Sequence, residues 1–410
     1  MPTPPLSDKD LRLVVNAYKK TGSKTEGAKL LNIHPNTFTS RLKTAQLKGF
    51  IDDIQATHEE INVIDKLAEA QDRIKQLESM AFSEQEEKLT ADYIKRKILK
   101  IKEQKPTIPK WLIKSSTRKK FAGVPTIFAS DWHWGEIVDP NQINGVNEYN
   151  LTIAQNRAKH MIEKAVDLLK NHIAHTEYPG IVYVLGGDMV SGDIHEELMA
   201  TNEKEIMPTV INLFGVLIWC IDTLANEFGN VFVPCVSGNH GRNTHKIRAK
   251  GRNFTSFDWL LYQFLAKHFE NDKRIQFLIP DGSDAYYSIY GHKYLLTHGD
   301  QFRGGDSVIG ALGPLIRGDH RKRSRNAQID MSYDTMLCGH WHQLIQLERL
   351  IVNGSLKGYC EYAYSNNFGF EPARQAMWIT HPEHGITFSI PIYVEKQKFN
   401  KENLEWISWK

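Results

Sequence analysis

Short apolar runs rich in β-branched and aromatic residues recur through the middle of the chain, and each gives way to a polar turn. Residues 126–130, 181–185, 231–236, 294–296 and 335–338 lack the polar alternation of half-exposed strands, so they predict strands covered on both faces. Segments of helix length, 154–174, 205–228 and 254–269, separate them, and the alternation of strand with helix predicts a layered α/β sheet. Beyond position 342 the pattern returns to strands at 348–352, 353–356, 376–380 and 387–394, which are expected to complete a second sheet.

The polar turns carry the chemistry. In order they read Asp131-Trp132-His133, Gly187-Asp188, Gly238-Asn239-His240, His298 within Thr-His-Gly-Asp, and Gly339-His340-Trp341-His342. Asp, His and Asn donors suit Mn, Fe, Zn or Mg, whereas soft thiolate sites need clustered cysteines. Open α/β sheets bind ligands beyond the carboxyl ends of their strands, which is where all five turns fall.

In order and spacing these signatures resemble the calcineurin-like metallophosphoesterase superfamily over residues 126–394, and in motif order the nuclease subunit of double-strand-break repair complexes. The resemblance implies an α/β fold, a two-sheet β-sandwich flanked by helices. It implies two divalent cations, Mn first among them, one held by Asp131, His133, Asp188 and His342 and the other by Asp188, Asn239, His298 and His340. Asp188 would bridge the pair, offsetting the repulsion of two cations about 3.5–4 Å apart, and an activated water would attack phosphorus in line. His240 would be the catalytic residue that protonates or stabilises the leaving oxygen. Two departures stand out. Gly241 occupies the place where most members carry an Asp or Glu that fixes the imidazole, so what orients His240 is open. Met189-Val-Ser-Gly-Asp193 replaces the Asp-Arg-Gly of the protein serine/threonine phosphatases, which argues against a phosphoprotein substrate; Asp193, His195 and Glu196 either line the site or open a solvated helix.

The first fifty residues carry a separate pattern. Ser23-Lys-Thr-Glu26 is a capping box, Pro35 suits a first helical position, and Leu11, Val14, Val15 and Tyr18 recur at helical spacing in a helix before them. This predicts a helix-turn-helix over residues 1–50, with Asn36, Thr37, Ser40 and Arg41 facing a DNA groove. Nine Lys and Arg stand against three Asp and Glu there, although the whole chain is only +3, so positive charge is concentrated where phosphates would be met. A helical module for protein contact is the alternative.

Residues 51–120 read as a charged helical linker. Apolar residues at three- and four-residue steps in 51–105 fit two self-packing helices or a homodimer contact equally well. Pro106 and Pro109 stop the helix before a basic stretch, Lys110, Lys114, Arg118, Lys119 and Lys120. A second basic run, 317–325, lies within the catalytic domain of 121–410; its Arg321, Lys322 and Arg323 are candidate DNA contacts.

Composition bounds the rest. With 410 residues and 41% hydrophobic content, the chain can bury a full catalytic core and still carry a smaller domain. Cys220, Cys235, Cys338 and Cys360 show no pairing pattern, and the apolar run 213–221 is too short to span a bilayer, so a cytoplasmic protein with no membrane partner is expected. The aromatic group Tyr359, Tyr362, Tyr364 and Phe368 reads as core or interface in preference to base stacking. The function these features predict is a two-metal phosphodiesterase, a nuclease brought to DNA by its own module. The alternatives are a phosphatase or small-nucleotide phosphodiesterase with a regulatory module, and a DNA-binding regulator with an inactive metal site.

Overall fold

The structure, a computed structural model, describes residues 7–50, 108–113, 123–173, 177–304 and 310–395. The expected helices and dimer contact of 51–105, and Lys114, Arg118, Lys119 and Lys120, lie outside the described residues. Two compact units divide the chain, Met1–Lys88 and Leu89–Lys410.

Capping defines the helices of the first unit: α1 (Asp8–Thr21), α2 (Lys24–Leu30) and α3 (Pro35–Leu47). Ser7 and Ser23 accept from the N–H groups of Asp10 and Glu26, satisfying donors that open α1 and α2, and Gly22 ends α1 in the left-handed conformation. His34 accepts from the N–H of Asn36, and Pro35 follows as the first residue of α3, where its missing N–H costs nothing. The three helices close on Leu11, Val14, Val15, Ala28, Phe38, Leu42 and Ala45. Asn36, Thr37 and Ser40 stand exposed on α3, and Arg41 is half-buried.

The second unit runs α4 (Lys110–Ile113), β1 (Val124–Ala129), α5 (Leu151–Asp167), β2 (Ile181–Leu185), α6 (Glu196–Thr201), α7 (Ile206–Phe228), β3 (Val231–Pro234) and α8 (Phe257–His268). It continues with β4 (Ile275–Leu278), β5 (Asp284–Ile289), β6 (His292–Thr297), α9 (Leu312–Ala327), β7 (Thr335–Cys338), β8 (Ile345–Leu347), β9 (Leu350–Val352), α10 (Glu361–Ser365), β10 (Arg374–His381) and β11 (Gly385–Tyr393). One sheet has the order β11-β10-β1-β2-β3-β4 and the other β5-β6-β7-β9-β8. β1 to β4 are mutually parallel, as are β6, β7 and β9, and the remaining pairings are antiparallel.

The unbroken apolar runs are explained by layering. Ile181, Tyr183 and Leu185 of β2 face the helices α5, α7 and α8, while Val182 and Val184 face the second sheet, where Tyr287, Tyr294, Leu296 and Leu337 meet them. Met336 and Cys338 of β7 turn the other way, onto Leu315 of α9. β1, β2, β3, β7 and β9 therefore bury both faces, at about 1.5–3 kcal/mol per large aliphatic or aromatic side chain withdrawn from water. The structure is an α/β two-sheet sandwich flanked by helices.

Several expectations change in detail. Residues 376–380 and 387–394 were expected in the second sheet; β10 and β11 instead extend the first, because β10 pairs antiparallel along the whole outer edge of β1. Residues 353–356 form no strand and lie buried beneath the polar turns. The span 110–113, expected in the linker, is a helical turn whose Leu112 is fully buried in the core between the sheets and whose carbonyl accepts from the N–H of Tyr290 (2.8 Å). The apolar run 213–221 belongs to the 23-residue helix α7, which by length and composition could cross a membrane; here Leu213, Leu217, Cys220, Ile221 and Leu224 pack into the core. Tyr362, Tyr364 and Phe368 are exposed, Tyr362 at 70%, so the core reading fails for them.

Candidate metal centre

The carboxyl ends of the parallel strands β1, β2, β3, β6 and β7 lie on one edge of the sandwich, and the polar turns emerge there. The turns interlock through the backbone: the N–H groups of Asp131, His133 and Trp134 donate to the carbonyls of Gly187, Asp188 and Met189. Asp131, His133, Asp188, His340 and His342 all have positive φ, between 47° and 68°. A left-handed non-glycine residue costs on the order of 1–3 kcal/mol, so five such residues in one crevice are strain held by their surroundings, a mark of functional sites. The neighbouring glycines are close-approach residues. A Cβ at Gly339 would come within 2.2 Å of Asp131 Oδ2, and one at Gly238 within 2.0 Å of Asp188 Oδ1.

Two groups of side chains converge. Ligand atoms of Asp131, His133 and His342 lie within 4.8 Å of one another, and so do those of Asp188, His298 and His340. A third grouping, His133, Asp188 and His240, joins them, sharing His133 with the first and Asp188 with the second. Each carboxylate is tied by one oxygen to the other side of the crevice: Asp131 Oδ1 accepts from the N–H of His340 (2.8 Å) and Asp188 Oδ1 from that of His240 (2.7 Å).

The imidazoles are fixed by their outer nitrogens. Nδ1 of His298 stands 2.9 Å from the carbonyl of Gly186 and Nδ1 of His240 3.0 Å from that of Ser191; a carbonyl only accepts, so both carry a proton on Nδ1, which leaves Nε2 as the atom available to a ligand. The carbonyl of Ser191 is thus what orients His240 in the absence of an acid at 241. His133 turns Nδ1 toward Glu136 (3.2 Å) and Nε2 toward His342 Nε2 (3.0 Å). Glu136 is held in turn by Lys357 (2.7 Å), and both are buried.

The donor set fits cations. Asp188 Oδ2 and Asn239 Oδ1 are buried with no hydrogen-bond partner, and His298 Nε2, 3.0 Å from Asp188 Oδ2, lacks the alignment of a hydrogen bond. Burial alone would raise the Asp188 carboxyl; the imidazoles of His298, His240 and His133 outweigh it and hold the group well below the carboxylate range. Burial lowers His133 to about 3 and His340 to about 4, so both are neutral donors at pH 7. For His298 burial is outweighed by the carboxylates of Asp188, Asp131 and Asp300, which raise it to about 10.

Three residues here were not legible in the sequence. Asp258, fully buried at the start of α8, accepts from the N–H groups of Asp188 (3.0 Å), Met189 (3.2 Å) and Gly238 (2.9 Å), stitching two ligand turns together. Burial and the Asp188 charge push its carboxyl up to about 6. A Cβ at Gly241 would lie 3.0 Å from Asp258 Cγ, so the glycine accommodates the carboxylate. Glu136 and Lys357 were also missed, since nothing in their local spacing distinguishes them from surface charges.

The remaining candidates separate. Residues 317–325 lie in helix α9 rather than in an open connection, because Leu315 and Gly318 seat it on the second sheet beside Phe302. Lys322 is 7% exposed and paired with Asp284 (2.7 Å), and Arg323 binds Asp319 and the carbonyls of Tyr333, Asp334 and Arg349. Lys322 and Arg323 thus have partners inside the fold, while Arg321 is exposed. His195 is exposed just before α6, its ring 6.2 Å from that of His240, and Asp193 lines a cavity nearby.

No family model and no curated protein matches the chain. Among solved structures it is similar to a conserved uncharacterized protein, a predicted phosphoesterase, from Streptococcus pneumoniae, at 13% identity and a TM-score of 0.25 over 66% of this chain and 98% of that one. It is similar also to a Vps29 single mutant from Entamoeba histolytica (12%, TM-score 0.26, 65% of this chain and 99% of that one) and to Vacuolar Protein Sorting 29 from Cryptosporidium parvum (11%, TM-score 0.26, 66% and 98%). On its own topology the chain is an α/β two-sheet sandwich with its candidate ligand turns gathered at the carboxyl edge of two facing sheets.

Proposed function

We propose that the chain is a two-metal phosphodiesterase acting on DNA. The observation that supports it most is the pair of Asp/His groups linked through His133 and Asp188, with the buried, unpartnered Asp188 Oδ2 and His298 Nε2 turned toward each other. Asp131, His133, Asp188 and His342 would hold one divalent cation, and Asp188, Asn239, His298 and His340 the other. Bound there, such cations supply activation of a water at neutral pH and clamping of the phosphoryl oxygens. The side chains do the rest. Glu136, braced by Lys357, keeps the His133 ring turned inward, and Asp258 keeps the turns of Asp188 and Asn239 in register. His240 has Nδ1–H committed to the Ser191 carbonyl, and burial lowers its imidazole, so Nε2 would first take up a proton from solvent and then give it to the leaving oxygen as the P–O bond breaks.

The three N-terminal helices are the DNA-directing module in this reading, with Asn36, Thr37, Ser40 and Arg41 toward the groove. Mn is the first cation to try, and an association through residues 51–105 is a further part of the proposal. The test is Mn-dependent hydrolysis of linear duplex, single-stranded and circular DNA, with Asp188→Asn in parallel. Cleavage lost in the variant supports the reading. Turnover of a chromogenic phosphodiester without DNA cleavage would replace it with a small-nucleotide substrate.

A further inference from the structure

The turn that carries Asn239 and His240 runs into a loop of unusual charge. From Asn239 to Arg252 the chain has Arg242, Lys246, Arg248, Lys250 and Arg252 and no Asp or Glu. The loop has a defined neck: the N–H of Asn243 donates to the carbonyl of Thr255 (2.8 Å), and that of Phe257 to Gly241 (2.6 Å). Two of the five cations are structural. Arg242 donates to the carbonyls of Asn239 (2.6 Å) and Thr244 (3.0 Å), and Arg252 grips Asp300, two residues beyond His298, with both guanidinium nitrogens (2.8 and 2.9 Å). The loop is thereby anchored to the turns of two candidate metal ligands, one at each end.

The other three have a different status. Lys246, Arg248 and Lys250 are exposed and form no ion pair with any described residue. Like charges are not gathered on one short loop for stability, since they repel one another; anchored at the rim of a crevice built to hold phosphoryl oxygen, they form a field that attracts polyanions. At the base of the loop lies a cavity of about 310 Å³. Ile194, Ile206 and Phe257 give it apolar walls, Arg242, Asn243, Thr244 and His245 give it polar ones, and Asp193 adds one carboxylate. A flat, partly polar group fits such a lining, and a nucleobase reaches it only when it is not paired.

We propose that this loop and the cavity at its neck are a subsite for a single-stranded stretch of nucleic acid beside the metal centre, with Lys246, Arg248 and Lys250 meeting backbone phosphates and the cavity taking one unpaired base. The inference rests on the phosphodiesterase reading and narrows its substrate to strands with unpaired nucleotides at the cleavage site.

The test is binding, measured without turnover. Full-length protein in EDTA is titrated against a short fluorescein-labelled oligothymidylate, and the anisotropy is followed over a series of salt concentrations. The variant Lys246→Gln/Arg248→Gln/Lys250→Gln, altered only at exposed positions, is expected to bind about tenfold more weakly at low salt and to lose about 2 from the slope of log K against log salt, as three single-strand phosphate contacts require. An oligomer of the same length with abasic sites is expected to bind wild type several-fold more weakly, although its charge is unchanged. Equal affinity and slope in wild type and variant, no preference over the abasic strand, or no binding by wild type at low salt would each overturn the proposal. Because the readout needs no cleavage, it is independent of whether the chain hydrolyses phosphodiesters; a variant that hydrolyses a chromogenic ester and binds the strand like wild type would sink the subsite alone.

Discussion

Asp258 sits in the first turn of α8 and closes its carboxylate on three backbone N–H groups from two different ligand turns. A helix start favours the anion, and no other described side chain accepts from those three donors. Asp258→Asn keeps the volume but turns an NH2 toward N–H groups. It is therefore expected to lower metal affinity or turnover by roughly 10–100-fold, as changes around a ligand shell do, with full metal content after dialysis and unchanged turnover as the refuting result. His298 makes a second prediction at this scale. Burial opposes its charge, but Asp188 and its neighbours raise it to about 10, so at pH 7 it is protonated until Nε2 becomes a ligand. Cation binding must expel that proton, and apparent affinity is expected to rise with pH below about 10. Calorimetry at pH 7 in buffers of different ionisation enthalpy should show net proton release; equal heats in all buffers would remove His298 from the ligand set.

Elements differ in how well their own sequence specifies them. The three N-terminal helices have caps, a proline at the first helical position and a core gathered around fully buried Phe38. A unit this small has little stability to spare, and a Phe→Ala truncation costs about 3–5 kcal/mol. Phe38→Ala is thus expected to shift a low-temperature melting transition downward or abolish it while the main transition stays in place; a single unchanged transition would mean that the helices do not melt as a unit of their own. The strands that lead into the candidate ligands were legible for a related reason: β2 and β7 match their expected limits because runs buried on both faces have no polar residue to blur their ends. Strands with weaker patterns were not. β4 and β8 carry exposed or half-exposed positions and fall below any periodic signal, and β10 reads the same whether it joins the first sheet or the second, since partner choice is a tertiary fact. The pairing within the basic run of α9 was not legible, because Lys322 answers Asp284, 38 positions away. In the candidate metal centre, the Asp, His and Asn side chains that the sequence marked by their chemistry come together in one crevice, whereas Asp258, Glu136 and Lys357 act through partners that only folding brings near.

At the scale of the whole molecule, two units with separate cores share one chain, and the proposed function divides the work between them. Affinity for duplex would come from the N-terminal helices, and bond cleavage from the metal centre. Arg41→Ala combined with Thr37→Ala and Ser40→Ala alters the surface of α3 without touching Phe38, Leu42 or Ala45, so the unit should stay folded. If those residues face DNA, the concentration of duplex bearing an unpaired stretch needed for half-maximal cleavage should rise by about tenfold or more, since lost base-edge and phosphate contacts each cost about 1–3 kcal/mol or reduce the salt slope. Hydrolysis of a chromogenic phosphodiester should not change, because that substrate meets only the metal centre. Parallel losses on both substrates would mean that the variant perturbs the catalytic unit, and no loss on either would leave the N-terminal unit without a role in DNA capture. An intermediate pattern is excluded by the division itself: a residue serving only to bring duplex to the site can alter half-saturation on duplex and nothing on a substrate too small to span both units.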